Sequence, residues 1–194
     1  CPQTGKYGNG VIVSQDGYVV TAKHVIQGSE TVWVTIYKNE FAYWMNKGER
    51  DFTSFTAKVI ALHPRCDVAL LKLPTDKREI GLGLPYIEDE EFMRQPIKYP
   101  YIKLKTDRAL WKVKDVIFCG FKDYGLQCYS SLRISKGSEC LMTIMGSWFD
   151  IVKGMSGGPV LDALTGELVG ILSIVHLRGS TGVVPVWAID DLLK

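Results

Sequence analysis

Three side chains in this sequence have the types and the order for nucleophilic attack on a carbonyl: His24, Asp67 and Ser156. Ser156 stands in Gly154-Met155-Ser156-Gly157-Gly158-Pro159-Val160, where glycines expose its hydroxyl on a tight turn. Gly154 and Gly157 let the backbone approach a ligand closely and allow φ values that a Cβ forbids. If the turn aims the amides of Gly154 and Ser156 at one point, it forms an oxyanion hole beside a nucleophile. Taken alone, the stretch also reads as a glycine-rich hairpin turn with an incidental serine. A serine nucleophile needs an imidazole as general base, and a carboxylate to fix the tautomer and stabilise the imidazolium. His24 closes the run Val20-Thr21-Ala22-Lys23-His24-Val25, and Asp67 opens Cys66-Asp67-Val68-Ala69-Leu70-Leu71. An aspartate heading an apolar strand needs a partner for its charge.

Gly154 to Gly158 also fits the G-x-S-x-G elbow of α/β-hydrolases. In that arrangement the serine comes first and the histidine last. Here the order is His24, Asp67, Ser156, and the only later histidine, His176, lies twenty residues on in an apolar strand. No strands alternate with long helices, so the elbow reading fails.

The elements that must carry these groups read as short strands. Gly8 to Ser14 is a turn and a strand, Asp16-Gly17 a hairpin signal, and Tyr18 to Ala22 the returning strand that delivers His24. Thr31 to Tyr37 alternates β-branched and aromatic residues; Lys47 to Asp51 is a charged loop; Phe55 to Leu62 and Val68 to Leu73 are further strands. Pro74 to Thr106 has four prolines and the acidic patch Glu88-Asp89-Glu90-Glu91, and reads as a connection between two halves. Strands are then expected over Val113 to Phe121, Gln127 to Ser135, Cys140 to Met145, Pro159 to Leu161, Leu168 to Val175 and Val183 to Val186. Ala188 to Lys194 looks like the start of a helix. Two all-β halves suggest paired small barrels, although no repeat is visible.

Composition supports a packed domain, with 46% hydrophobic and 11% aromatic residues in 194. A formal charge of +2 gives no nucleic-acid footprint. The locally basic run Lys98 to Lys105 reads as a solvated connecting strand, with an RNA-binding surface as the alternative. No apolar stretch is long enough to span a membrane. The sequence begins at Cys1 without a methionine, as a processed product or excised fragment would, and a lipid-modified Cys1 is one way to read it. Cysteines 1, 66, 119, 128 and 140 include no C-x-x-C pair, so zinc is not expected. Mostly free thiols are expected, with a disulfide between two of Cys119, Cys128 and Cys140 left open.

Thr21 to Val25, Asp67 to Leu73 and Gly154 to Val160 together resemble the three active-site motifs of trypsin-like serine proteases. Gly8 to Val25 resembles most closely the bacterial trypsin-like and high-temperature-requirement branch. The resemblance implies an all-β fold of two packed six-stranded antiparallel barrels with a short C-terminal helix. One protease domain would then occupy 1–194: an N-terminal barrel over 8–74, a connection over 75–107, and a C-terminal barrel with the terminal helix over 108–194. It implies Ser156 as nucleophile, His24 as general base, Asp67 as orienting carboxylate, and the amides of Gly154 and Ser156 as the oxyanion hole. The expected reaction is peptide-bond hydrolysis through an acyl-enzyme, with a polypeptide substrate and no metal or organic cofactor.

There are departures from the family pattern. Met155 stands where zymogen-activated members carry an aspartate, and Cys1-Pro2 does not resemble their activated N-terminus. No switch of that type is therefore expected, and Met155→Asp should leave the fold largely assembled. The disulfide cysteines flanking the active site of secreted digestive members are also missing. With the sequence ending at Lys194, no downstream peptide-binding domain is expected.

For specificity, Asp150 falls where the family places a pocket-floor residue, and a carboxylate there would pair with a substrate Arg or Lys. Gly182 falls where a small residue keeps the pocket open, and Val175, on Ser173-Ile174-Val175, where a bulkier one narrows it. Ser173, Val175 and Gly182 are thus expected to bind substrate with Asp150, and cleavage after basic residues follows. A surface aspartate on a loop is the other reading of Asp150. His63 is expected at a strand-end surface, His176 at a strand end or cleft lining. Trp33, Trp44, Trp111, Trp148 and Trp187 are expected in the core or closing the barrels, with Trp148 near the pocket. Two further functional readings stand: a protease-like fold that binds without turnover, and a virus-encoded processing protease.

Overall fold

Runs of β-branched and aromatic residues, broken by glycine and proline, form strands along most of the chain. A computed structural model describes residues 5–37, 52–76, 96–107, 110, 113–122, 125–131, 134–145, 154–176 and 180–194. In order, the first elements are β1 (Gly10–Ile12), β2 (Tyr18–Thr21), the one-turn helix α1 (Lys23–Ile26), β3 (Thr31–Tyr37), β4 (Phe52–Leu62) and β5 (Ala69–Lys72). There follow β6 (Val116–Lys122), β7 (Gly125–Ser131), β8 (Ile134–Ser138), β9 (Leu141–Met145), β10 (Pro159–Asp162), β11 (Leu168–His176), β12 (Ser180–Pro185) and α2 (Val186–Leu192).

The strands form a five-stranded sheet, β1-β2-β5-β4-β3, and a seven-stranded sheet, β7-β6-β10-β11-β12-β9-β8. In place of the expected two six-stranded barrels, the described residues form sheets of five and seven strands with no pairing that closes either, in a mostly β chain with a short C-terminal helix. Three local expectations shift. The run over Gln127 to Ser135 divides into β7 and β8, α1 interrupts what reads as a strand end, and α2 begins at Val186. Among the described residues no helix is long and apolar enough to cross a membrane.

Each sheet buries one face. Val32 is 4% exposed and its neighbour Trp33 70%, the alternation of a strand with one wet face, so Trp33 lies outside the core where it was expected. Trp187 packs partly buried against the cluster between the sheets, and Trp44, Trp111 and Trp148 lie outside the described residues. That cluster joins Val11, Val20, Val68 and Leu70 of the first sheet to Ile171 and Val184 of the second, with Ile189 of α2 against both. Its burial, worth roughly 1.5–3 kcal/mol per large aliphatic side chain, fixes the two sheets against each other.

The connecting segment adds a polar seam. Tyr99 and Ile102 donate backbone hydrogen bonds to Gln15 and Ile12 of the first sheet, and Lys105 donates to Leu168 of the second. The basic run, expected as a solvated connecting strand, is instead an irregular connecting segment, bridged to β11 only at Leu104 and only partly solvated. Tyr99 is buried and its hydroxyl donates to Pro74 O at 2.6 Å, with burial pushing its pKa up to about 12. Lys105 pairs with Asp162 at 2.9 Å and Glu167 at 3.3 Å, and these partners hold its ammonium above the usual range.

The expectation of mostly free thiols is overturned: Cys66 pairs with Cys140 and Cys119 with Cys128. The second pair is local, since the β6–β7 register sets Cys119 opposite Cys128. The first joins partners 74 residues apart and links the two sheets.

Candidate active site

Pairing of β2 with β5 sets Thr21 opposite Ala69, so the segments following β2 and preceding β5 emerge side by side. His24 and Asp67 ride on those segments. The His24 amide donates to Asp67 Oδ1 at 2.9 Å, and His24 Nδ1 lies 2.7 Å from Asp67 Oδ2. A carboxylate at Nδ1 places the ring proton there and leaves the Nε2 lone pair free, the tautomer of a general base. Ser173 Oγ donates to the same Oδ2 at 2.6 Å. Asp67 thus accepts three hydrogen bonds, which meets the cost of holding a half-buried carboxylate.

The loop in front of Asp67 is braced from several sides. His63, expected at the surface, is 4% exposed, and its Nδ1 accepts the amides of Cys66 at 2.9 Å and Arg65 at 3.2 Å. Those two acceptor bonds keep the ring neutral with its proton on Nε2, and burial holds its pKa below the ordinary histidine value. The His63 carbonyl accepts from Lys23 Nζ at 2.8 Å, next to His24. From the other side, Arg65 meets Glu139 at 2.8 Å beside the Cys66–Cys140 disulfide.

Ser156 reaches the site from the second sheet. Gly154 and Gly157 have φ of +107° and +87°, so the turn requires glycine at both positions, as its sequence suggests. Gly157 N donates to Leu172 O at 2.7 Å and Gly158 N to Met155 O at 3.0 Å. Met155 is fully buried in the core of the second sheet and lies against Gly120. The expectation that an aspartate could replace it is therefore corrected, because the side chain lies in an apolar cluster of the described residues, where a buried charge is costly. Among the described residues the amides of Gly154 and Ser156 donate to no backbone acceptor.

The Ser156 hydroxyl donates to the Ser173 carbonyl at 3.1 Å and, among the described residues, makes no bond with the His24 ring. Ser173, expected to bind substrate, donates its hydroxyl to Asp67 and accepts the Ser156 hydroxyl at its carbonyl. Gly182 is buried on β12 opposite Thr143, and the backbone of Val175 pairs with Thr181 beside it, so these two positions do lie together. Asp150 lies outside the described residues. A mostly apolar trough of about 790 Å³ is lined in part by Asn9, Val25, Trp33, Phe121 and Gly154. Among the described residues no group of three His, Cys, Asp or Glu side chains is placed to hold a metal.

Residues 8–171 match the trypsin-like peptidase domain. The chain belongs to that family. Its relatives include a probable periplasmic serine endoprotease, DegP-like, of Marinomonas sp. (strain MWYL1), 30% identical over 91% of this chain and 32% of the relative. A second protein of the same description, from Chlamydia trachomatis, is 26% identical over 96% of this chain and 32% of the relative. These relatives set this trypsin-like peptidase domain on the bacterial, high-temperature-requirement branch. The chain spans about a third of the length of the curated relatives it matches. In fold it is similar to the MamO protease domain of Magnetospirillum magneticum in its apo form, with a TM-score of 0.60 and 19% identity over 96% of this chain and 88% of that one.

Sequence reasoning missed the second roles of His63 and Ser173 and the Cys66–Cys140 link. One signal was available for the last: Cys66 is the immediate neighbour of Asp67.

Proposed function

We propose that this domain is a serine endopeptidase, with Ser156 as nucleophile, His24 as general base and Asp67 as the orienting carboxylate. The observation that carries the reading is the Asp67 carboxylate, bonded at once to the His24 amide, His24 Nδ1 and Ser173 Oγ. A surface aspartate in a structural role has no need of that geometry. The two sheets are read as the two barrels of the trypsin-like fold, with 1–194 as one domain and the site in the cleft between them.

For attack, the Ser156 hydroxyl turns from the Ser173 carbonyl toward His24 Nε2, a side-chain rotation fast on any catalytic timescale. Nε2 takes the hydroxyl proton as Oγ bonds the scissile carbonyl carbon. Asp67 stabilises the imidazolium, and the amides of Gly154 and Ser156 hold the oxyanion. His24 then gives its proton to the leaving amine as the C–N bond breaks. Water, deprotonated in turn by His24, hydrolyses the acyl-enzyme. The apolar trough beside Gly154 would take chain flanking the scissile bond. Two disulfides fit an oxidising compartment, in keeping with the word periplasmic in the relatives' names.

Cleavage after Arg or Lys is the finer reading and rests on Asp150 alone. Profiling wild type and Asp150→Ser on a peptide library tests both levels. Hydrolysis with a basic preference lost in the variant supports the whole reading; an unchanged preference removes the role of Asp150. The second reading, binding without turnover, takes its support from the Ser156–Ser173 hydrogen bond, which leaves the nucleophile disengaged from its base. Binding of peptides without any hydrolysis would favour it.

A further inference from the structure

Asn9, just before β1, hydrogen-bonds both sides of the turn that carries Ser156. Its backbone amide donates to Ser156 O at 2.7 Å, and its side-chain nitrogen donates to Gly154 O at 2.7 Å. Its side-chain oxygen accepts from Phe121 N at 2.8 Å, and its carbonyl accepts from Thr21 Oγ1 at 2.6 Å. All four polar groups of the residue are engaged. The side-chain orientation follows from its partners, since a flipped amide would set donor against donor at Phe121 and acceptor against acceptor at Gly154. The turn also lies directly on Asn9: a Cβ at Gly157 would run into the Asn9 carbonyl.

From this geometry we infer that Asn9 is a positioning residue that holds the oxyanion hole in register for catalysis. It fixes the carbonyls of Gly154 and Ser156, the same two residues whose amides receive the oxyanion in the proposed mechanism, on which this inference rests. A glycine at φ +107° has broad backbone freedom. Among the described residues the Asn9 amide is the only side chain that hydrogen-bonds the Gly154 carbonyl. Without it the Gly154 carbonyl is released, the ψ of a glycine with broad freedom is no longer pinned, and the turn that carries the Gly154 and Ser156 N–H groups loses its fixed shape. An oxyanion hole gains its effect from donors fixed in advance of the reaction, so the loss falls on the transition state rather than on substrate binding.

Asn9→Asp is the sharpest test because it keeps the shape and the acceptor for Phe121 N–H. It sets a carboxylate oxygen against the Gly154 carbonyl. Peptide hydrolysis by the full chain is measured from about pH 5 to pH 8 for wild type, Asn9→Asp and Asn9→Ala. Near pH 8 both variants should lose about 10- to 100-fold in kcat, with KM within about twofold of wild type. Toward pH 5 the Asn9→Asp to wild-type ratio should recover, since a protonated carboxyl can donate to Gly154 O, while the Asn9→Ala ratio stays flat. An unchanged kcat, or losses that show no kcat–KM split and no pH-dependent ratio, would overturn the inference. If Asn9→Asp does not fold, the kcat–KM split in Asn9→Ala decides. An inactive wild type would defeat the serine-protease reading, and this inference with it; an active wild type with active variants defeats the inference alone.

Discussion

The Asp67 loop is tied to the second sheet by the Cys66–Cys140 disulfide and the Arg65–Glu139 ion pair, whereas the Ser156 turn is tied to the first sheet by hydrogen bonds that converge on Asn9. Each half of the site thus reaches across to the other sheet, one through a covalent bond and the other through hydrogen bonds. The difference follows the work each half does. A carboxylate that orients an imidazole must not move, because a buried charge without its partners is costly. In the proposed mechanism Ser156 must turn between two acceptors, the Ser173 carbonyl and the His24 ring, so its turn needs a stiff backbone and a rotatable hydroxyl. The buried Met155 and the Asn9 bonds supply the first without restricting the second.

Met155→Asp should do most to break this picture. An unpaired charge in the core of the second sheet should cost on the order of 3–5 kcal/mol, read as a lower urea midpoint, and should unfold the turn before the Asp67 loop. Native-like stability in the variant would mean that the turn does not depend on that anchor.

The disulfides come next. Replacing Cys66 and Cys140 together by serine should lower stability by up to about 4 kcal/mol, and replacing Cys119 and Cys128 by about 2.5 kcal/mol. The ranking follows from sequence separations of 74 and 9 residues, since the longer loop restricts the unfolded chain more. Thermal unfolding of the two double variants would show the reverse order if the link between the sheets were unimportant.

A smaller effect concerns pH. His63 is neutral in the folded protein and its pKa is depressed, chiefly by burial, with Arg65 and Lys23 lowering it further and Asp191 and Glu139 opposing. The unfolded chain therefore binds the proton more readily. The stabilisation is complete above roughly pH 6.5 and is lost as pH falls through the folded-state value. The melting temperature should drop between about pH 7 and pH 5 by an amount that His63→Asn reduces. Equal slopes in the two proteins would remove His63 from the account.

Arg65→Ala should have the least effect, under about 1 kcal/mol, because both partners of the Arg65–Glu139 pair are more than half exposed. A larger loss would mean that the ion pair, and not the disulfide, holds the loop.

The proposed triad could be picked out in the sequence because each candidate sits in a short local motif: a strand end at His24, a strand start at Asp67 and a glycine turn at Ser156. The strands were legible wherever apolar alternation ends in glycine, proline or aspartate. At Ser131-Leu132-Arg133 no such residue marks the boundary between β7 and β8, so the two strands read as one. What stayed hidden depends on contacts distant in sequence. Nothing near His63 announces that two backbone amides will close over its ring. Nothing near Cys140 points 74 residues back to Cys66. Ser173 was expected to bind substrate, and its hydrogen bonds to Asp67 and Ser156 could not be foreseen. A strand residue's hydroxyl and carbonyl point to different partners, and only the fold decides which.

The most direct test of the site is labelling with a fluorophosphonate, which bonds a serine only when its hydroxyl is activated. Wild-type protein should label, and Ser156→Ala and His24→Ala should each lose the label while keeping the wild-type melting temperature within a few degrees. A folded wild type that does not label, or a His24→Ala variant that labels as fast as wild type, would contradict the assignment of Ser156 as a nucleophile served by His24.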